Sequence, residues 1–313
     1  MLTQTNEEAV ILVALLRKQG VSCKLVQSME GFRFWNMAEV RMFLKLVEQG
    51  MHTPLIPDEV WSEAKAKTFE QYATSESLHY LQRCITLFEQ TNKAKYHTDF
   101  KEYVFESSLE DFCDLTGAEV VVSTIHKAKG REFDDVYLLI TQPPHLTDEV
   151  LRRYYVGMTR AKTRLFIHAD GPLFSRLPAD RHCVCQQQYE MPQEIVLQLS
   201  HKDVNLGFFR FRKNQVLALR PGEPLRFDHN YLYARDQGTP VALLSQKMQA
   251  ELSLWAERGY KVTAASIRFI VAWRPKDASD ESPQEHAVLL ADLTLSRQGC
   301  CRLLMEGQRI PDP

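Results

Sequence analysis

The sequence predicts an α/β domain, with helices packed on a parallel sheet and a helical insertion, followed by a small mainly-β, barrel-like domain. Three observations predict it. Up to about residue 170, helix-period segments alternate with short β-rich runs, the pattern of helices covering a parallel sheet. Between residues 51 and 112 the alternation stops, and a stretch rich in Glu, Lys, Gln and aromatics contains no clear strand. Beyond Pro178, short turn-separated strand-like runs take over, which suits a small barrel or sandwich. The length of 313 residues agrees with two domains, because single cores stop growing at about 250 residues. The expected division is 1–170 with the insertion at 51–112, a linker at 171–200, and the mainly-β domain at 201–313.

In order along the chain, Val10, Val13 and Leu16 give Glu7 to Lys18 a helical stripe, Gly20 stops it, and Lys24-Leu25-Val26 begins a strand. Asn36 with Glu39 three residues on reads as a helix cap, followed by Met37, Val40, Phe43, Leu44 and Val47 until Gly50. His52, Pro54 and Pro57 then break the chain. Val120 to Thr124 reads as a fully buried strand and Val136 to Ile140 as the next, with a helix from about Asp148 to Ala161 and a strand Arg164 to Ile167 completing the unit. In the second half, strands are expected at 195–199, 215–219, 225–227, 231–234, 241–244, 262–273 and 288–295, with turns at Pro221-Gly222 and Gln237-Gly238. One helix, Gln246 to Arg258, interrupts them, with Met248, Leu252 and Trp255 on one face and Gly259 as its stop. Asp277 to Glu285 is a polar loop.

Composition excludes several classes. A 44% hydrophobic fraction with 25% charged residues rules out a disordered or fibrous chain, and a net charge of −2 means that any nucleic-acid site is local. No run approaches the roughly 18 apolar residues of a membrane helix, and the start lacks the basic and apolar regions of a signal peptide. A cytoplasmic location without membrane contact is expected. The seven cysteines are scattered and read as reduced thiols. His182, Cys183 and Cys185 with Cys300 and Cys301 form the one metal-like grouping, but its spacing is not that of a zinc site, and no metal is expected.

Two segments carry chemistry. The first, Ser123 to Phe133, follows a buried strand, where open α/β sheets place ligands. Thr124 and His126 supply hydrogen-bonding groups, Lys127 and Lys129 supply charge, Gly130 permits close backbone approach, and Glu132 offers a carboxylate to a ribose. The plain alternative is a solvated basic loop. The second, Glu149 to Lys162, is acid-free after Glu149, and helical spacing puts Arg153, Gly157 and Arg160 on one face. A guanidinium at Arg160 suits a phosphate whose charge grows during phosphoryl transfer, and the alternative is a solubilising basic helix.

Together these segments resemble motifs V and VI of the superfamily 1 DNA helicases of the UvrD, Rep and PcrA type, whose patterns are close to T-x-H-x-A-K-G-L-E-F and E-x-x-R-R-L-x-Y-V-x-x-T-R-A. The matches are Thr124, His126, Ala128, Lys129, Gly130, Glu132 and Phe133, then Glu149, Arg152, Arg153, Tyr155, Val156, Thr159, Arg160 and Ala161. Leu2 to Ala9 is similar to the segment opening the second motor domain of those enzymes, so the resemblance covers about residues 1–170. It implies that 1–170 is the second RecA-like motor domain of an ATP-dependent DNA helicase or translocase, paired with a missing first motor domain around ATP and Mg2+. It further implies that Arg160 is the arginine finger, that Glu132 meets the nucleotide ribose, and that Thr124 and His126 face single-stranded DNA; by charge Lys127 is expected on the DNA side, and by backbone freedom Gly130 on the nucleotide side.

The chain also departs from that family. It contains no G-x-x-x-x-G-K-[ST] loop to hold β and γ phosphates, so this chain alone is not expected to be active. Arg131 stands where the family has leucine, and the insertion is far smaller than the family's accessory domain. In the second half, Arg210, Arg212 and Lys213 lie among Phe208, Phe209 and Phe211, a basic and aromatic strand surface suited to single-stranded DNA, although any one phenylalanine reads more readily as core. The order from Leu219 to Trp273 is similar to HIRAN domains, small β-barrels found beside helicase domains. Two other readings remain open, a non-enzymatic DNA-binding or regulatory module and the corresponding part of a helicase-nuclease subunit.

Overall fold

A computed structural model describes residues 1–26, 31–50, 53–113, 119–141, 147–170, 174, 180, 190–234, 238–274 and 285–297. Cys183, Cys185, Cys300, Cys301, most of the expected linker and nearly all of the 277–285 loop lie outside these residues.

The chain opens with β1 (Leu2–Thr3) and α1 (Asn6–Lys18). A reciprocal cap starts this helix: the Thr5 side chain accepts from the Glu8 amide, and Glu8 accepts from the amides of Gln4 and Thr5. Gly20, at φ +77°, ends it and leads to β2 (Cys23–Leu25). A 3-10 turn over Phe34–Asn36 precedes α2 (Ala38–Gly50). Asn36 therefore does not cap α2 as the sequence suggested; its side chain accepts from the Arg33 amide inside the 3-10 turn. Glu39 is buried and accepts from the hydroxyls of Ser75 and Ser77.

The insertion is helical as expected, comprising α3 (Asp58–Gln71), α4 (Leu78–Thr91), α5 (His97–Glu106) and a 3-10 turn at Leu109–Phe112. The parallel sheet resumes with β3 (Val120–Thr124), β4 (Phe133–Ile140), α6 (Asp148–Met158) and β5 (Ala161–Ala169). Its strand order is β2-β3-β1-β4-β5, with every pairing among the described residues parallel. Val120 and Val121 are only half-buried, so β3 is less enclosed than its apolar run suggested.

The second half contains β6 (Glu194–Gln198), a 3-10 turn at Leu206–Phe211, α7 (Lys213–Leu217), β7 (Pro224–Asp228), β8 (Tyr231–Ala234), β9 (Pro240–Leu243), α8 (Gln246–Glu257), β10 (Tyr260–Trp273) and β11 (His286–Arg297). These strands form an antiparallel sheet in the order β6-β11-β10-β7-β8-β9. The sheet curls without closing fully: after β6 the chain runs to the opposite edge, where Val204 bridges Leu244 and Asn205 donates to the Leu243 carbonyl. The expected strand at 215–219 is instead the short helix α7, because a brief apolar run fits either period and Val216 N–H donates to the Arg212 carbonyl.

The apolar cores cross the boundary in sequence style. One continuous core joins Phe34, Phe43, Trp61, Phe88 and Phe100 of the helical part to Ile195, Leu225, Ile270 and Val288 of the antiparallel sheet. Met37 forms a β-bridge to Val271 at the seam. Two smaller cores serve the parallel sheet, one under α1 (Ala9, Val13, Val122) and one under α6 (Leu2, Val136, Leu138, Tyr154).

Candidate functional site

The link between β3 and β4 carries most of the singled-out residues. Ser123 and Leu138 are both level with Leu2, whereas β4 begins at Phe133. Residues 125–132 must therefore return along the sheet by five strand residues, roughly 17 Å at about 3.3 Å per residue. Parallel crossovers ordinarily use a dozen residues or more and a helix. Here buried Ile125 and Ala128 pin successive turns onto the core beneath α6, and the Thr124 hydroxyl accepts from the Lys127 amide at 3.3 Å. Gly130 has φ +83° with open space where a Cβ would sit, so backbone conformation accounts for this glycine.

The crossover divides its residues between the two edges of the sheet. Thr124 ends β3 on the C-terminal edge, where its side chain is buried; His126 and Lys129 follow as exposed groups and Lys127 is half-buried. Glu132 is exposed on the N-terminal edge, beside the start of β5. The Phe133 amide donates to the Arg160 carbonyl at 2.8 Å, placing Arg160 at that same edge, and Lys162 Nζ lies 3.9 Å from Glu132 Oε2.

Arg160 stands past the end of α6, not on its face with Arg153 and Gly157 as helical spacing implied. Gly157 is buried beneath the helix, and Arg153 pairs with Glu149. The Arg160 guanidinium folds back: Nε donates to the Val156 carbonyl at 2.9 Å, Nη1 to the Arg131 carbonyl at 3.3 Å, and Nη2 to the Thr159 hydroxyl at 3.1 Å. These are positions from which a cation is available at a helix C-terminus. Arg131, the departure from the motif, sends its own guanidinium to the Glu110 carbonyl, tying the crossover to the helical insertion.

On the C-terminal edge, Thr124 and Lys127 line a cleft of about 190 Å3 that reaches β6 and α8. The cleft is mixed in sign, with Lys202 and Lys247 facing Asp203 and Glu251. Partial burial, then Asp203, pushes the Glu251 carboxyl above its usual range. His126, Lys127 and Lys129 also border a second cavity, of about 580 Å3, against Phe32 and Phe105.

Arg210, Arg212 and Lys213 are not on a strand surface: they lie on the 3-10 turn and the start of α7. Phe209 is core, the Arg212 guanidinium covers the Phe208 ring at 4.8 Å, and Phe211 is 89% exposed. Among the described residues no three His, Cys, Asp or Glu side chains converge as a metal site, Cys23, Cys84 and Cys113 are free thiols, and no helix is long and apolar enough to cross a membrane.

The crossover and the adjoining helix end fall within a region that is similar to known proteins. Residues 56–170 match the UvrD-like helicase C-terminal domain. This UvrD-like match takes in α3 to α5, the crossover and α6, together a little over a third of the chain. DNA helicase II of Rickettsia typhi is similar, at 29% identity over 164 residues that cover 46% of this chain. The chain spans only 23% of that relative's length. The UvrD-like region is thus supported both by the family match and by a relative, and the parallel sheet with its covering helices fits a RecA-like domain of that kind.

Proposed function

We propose that this chain is the C-terminal part of an ATP-dependent DNA helicase or translocase, in which residues 1–170 act as the second motor domain with the insertion at 51–112. The observation that carries the reading is the split of the crossover, with Glu132 and Arg160 on one sheet edge and Thr124, His126 and Lys127 near the other. A translocating motor needs that separation, because nucleotide and single strand occupy different places and one rigid segment must respond to both.

ATP with Mg2+ supplies a phosphoryl group whose charge spreads over its oxygens as it is transferred. The residues present fit one side of such a site. Arg160 brings a fixed positive charge, and to meet a phosphate it exchanges the acceptors Val156, Thr159 and Arg131 for phosphate oxygens, a favourable trade for a planar fork. Glu132, exposed beside Lys162, presents a carboxylate to ribose hydroxyls, with Gly130 shaping the turn before it. The phosphate-holding loop belongs in this reading to a first motor domain. On the other edge, Lys127 and His126 give single-stranded DNA a charge and a hydrogen-bonding ring.

In the same reading, the chain beyond 170 leads to a HIRAN-like accessory module at 201–313, to whose sheet β6, inside the expected 171–200 linker, adds an edge strand. The observed order β7, β8, β9, α8, β10 supports it. The decisive experiment is Arg160→Ala in the full-length polypeptide containing both motor halves. DNA-stimulated ATP turnover is expected to be abolished with nucleotide affinity largely retained, and unchanged turnover overturns the assignment.

A further inference from the structure

A groove of about 740 Å3 lies between the helical part and the antiparallel sheet, away from the residues that match the helicase motifs. One wall is α2, which turns Ala38, Arg41, Met42, Lys45 and Gln49 toward it at helical spacing, together with Lys101 and Phe105 one turn apart on α5. The opposite wall is α7, through Lys213 and Leu217, and the floor is the paired ends of β10 and β11 at Ile270–Ala272 and His286–Ala287. Trp35 packs edge-on against Phe105 at 5.0 Å, and both rings are only half-buried.

The rim is cationic. Arg41 is held by a two-oxygen contact with Glu285, and Lys101 lies 3.4 Å from Glu48. Lys45, Arg210 and Lys213 are exposed and have no ion pair among the described residues. Arg210 and Lys213, after burial, also depress the His286 imidazole pKa, which reports a positive field at the groove floor. Phe211, beside Arg210, projects into solvent. Phe105 also borders the separate cavity flanked by His126 and Lys129.

We propose that this groove binds single-stranded nucleic acid, with Lys45 and Lys213 on phosphates and the Trp35–Phe105 pair as a stacking surface for bases. Alternating cations and accessible rings are what a single strand uses, since its charge lies along the backbone and every base offers a flat face. A duplex has its bases stacked internally and gains only the phosphate contacts. The proposal does not rest on the nucleotide role of Arg160.

The test uses the 313-residue chain and a short fluorescein-labelled oligothymidylate, followed by anisotropy at low and rising salt. Lys45→Glu with Lys213→Glu is expected to weaken binding at least about tenfold and to flatten the dependence of log affinity on log salt by about 1.4, two contacts at about 0.7 each. Both lysines are exposed, so the melting temperature of the double variant should match the parent. Tryptophan fluorescence should be quenched by the oligonucleotide in the parent and less in Trp35→Phe, since Trp61 and Trp255 are buried; the half-buried Trp273, packed on His286 at the groove floor, accounts for the residual quenching, which Trp273→Phe removes. Lys129→Glu separates the motif loop from the groove. Weakening by the groove pair, with or without weakening by Lys129→Glu, supports the groove. Weakening by Lys129→Glu alone, equal binding of duplex without quenching, or no binding by the parent each overturns the groove while leaving the Arg160 test untouched.

Discussion

Arg160 Nη1 donates to the backbone carbonyl of Arg131 at 3.3 Å, while the Arg131 guanidinium donates to the Glu110 carbonyl. The end of α6, the crossover and the helical insertion are thereby joined by two successive arginines. In the folded chain alone, Arg160 acts as a helix-end clasp. Arg160→Ala should lower unfolding free energy by about 1–2 kcal/mol, the scale of a few partly exposed hydrogen bonds from a charged donor. Denaturant unfolding of the 313-residue chain measures it, and no change would show that the clasp carries no stability.

Arg131→Leu restores the residue usual in the motif and removes the link to Glu110. Amide hydrogen exchange across residues 107–112 should quicken, while the core around Ile125 and Ala128 stays protected, because neither residue depends on the Arg131 side chain. Equal protection of 107–112 in parent and variant would contradict a tethering role.

Gly157 lies where α6 meets the crossover: a Cβ there would stand 3.1 Å from Leu138 Cδ1 and 3.3 Å from Ile125 Cγ1. Gly157→Leu should destabilise the chain by about 1–3 kcal/mol through overpacking. Thermal unfolding provides the measurement, and an unchanged midpoint would mean that α6 shifts without cost.

Arg268 and Asp292 form an enclosed ion pair at 3.0 Å within the antiparallel sheet. Arg268→Met should cost about 3–5 kcal/mol in denaturant unfolding by leaving the buried carboxylate uncompensated, and adding Asp292→Leu should recover much of that loss. Burial raises the Asp292 carboxyl above its usual 3.8, and Arg268 opposes the shift. The folded state therefore holds this proton more tightly, and the contribution from Asp292 falls as pH rises from about 3.8 through the raised value.

For His286 the sign is reversed. Burial, then Arg210 and Lys213, holds its imidazole below the usual 6.5. The contribution of this group is present above 6.5 and is lost as pH falls through the depressed folded value. Lys213→Glu should raise the His286 pKa in an NMR titration and soften that acid loss. An unmoved pKa would mean that Lys213 does not act on the groove floor.

Much of the architecture was legible in the residues. Apolar periodicity marked α1, α6, α8 and most strands to within a few positions, because local packing faces repeat with the element's own period. It failed at 215–219, where five residues satisfy either period and Arg212 closes a helical turn. It failed again at Asn36, whose cap-like spacing serves a 3-10 turn instead. For the candidate site, the motif residues Thr124, His126, Glu132 and Arg160 stood out by type and spacing, but Trp35, Lys45, Lys101 and Phe105 did not. Their only signal was an aromatic and basic composition spread over separate helices.

The sequence by itself determined the kinds of element, the two chemical segments and their likeness to a helicase motor, since each is written in residues close together along the chain. Tertiary structure alone decided that the crossover delivers its two ends to opposite sheet edges, that Arg160 folds back on Arg131, and that the helical part shares a core with the antiparallel sheet. Those outcomes depend on strand register and on contacts between residues far apart in sequence, whose energies accumulate only when the whole core has formed.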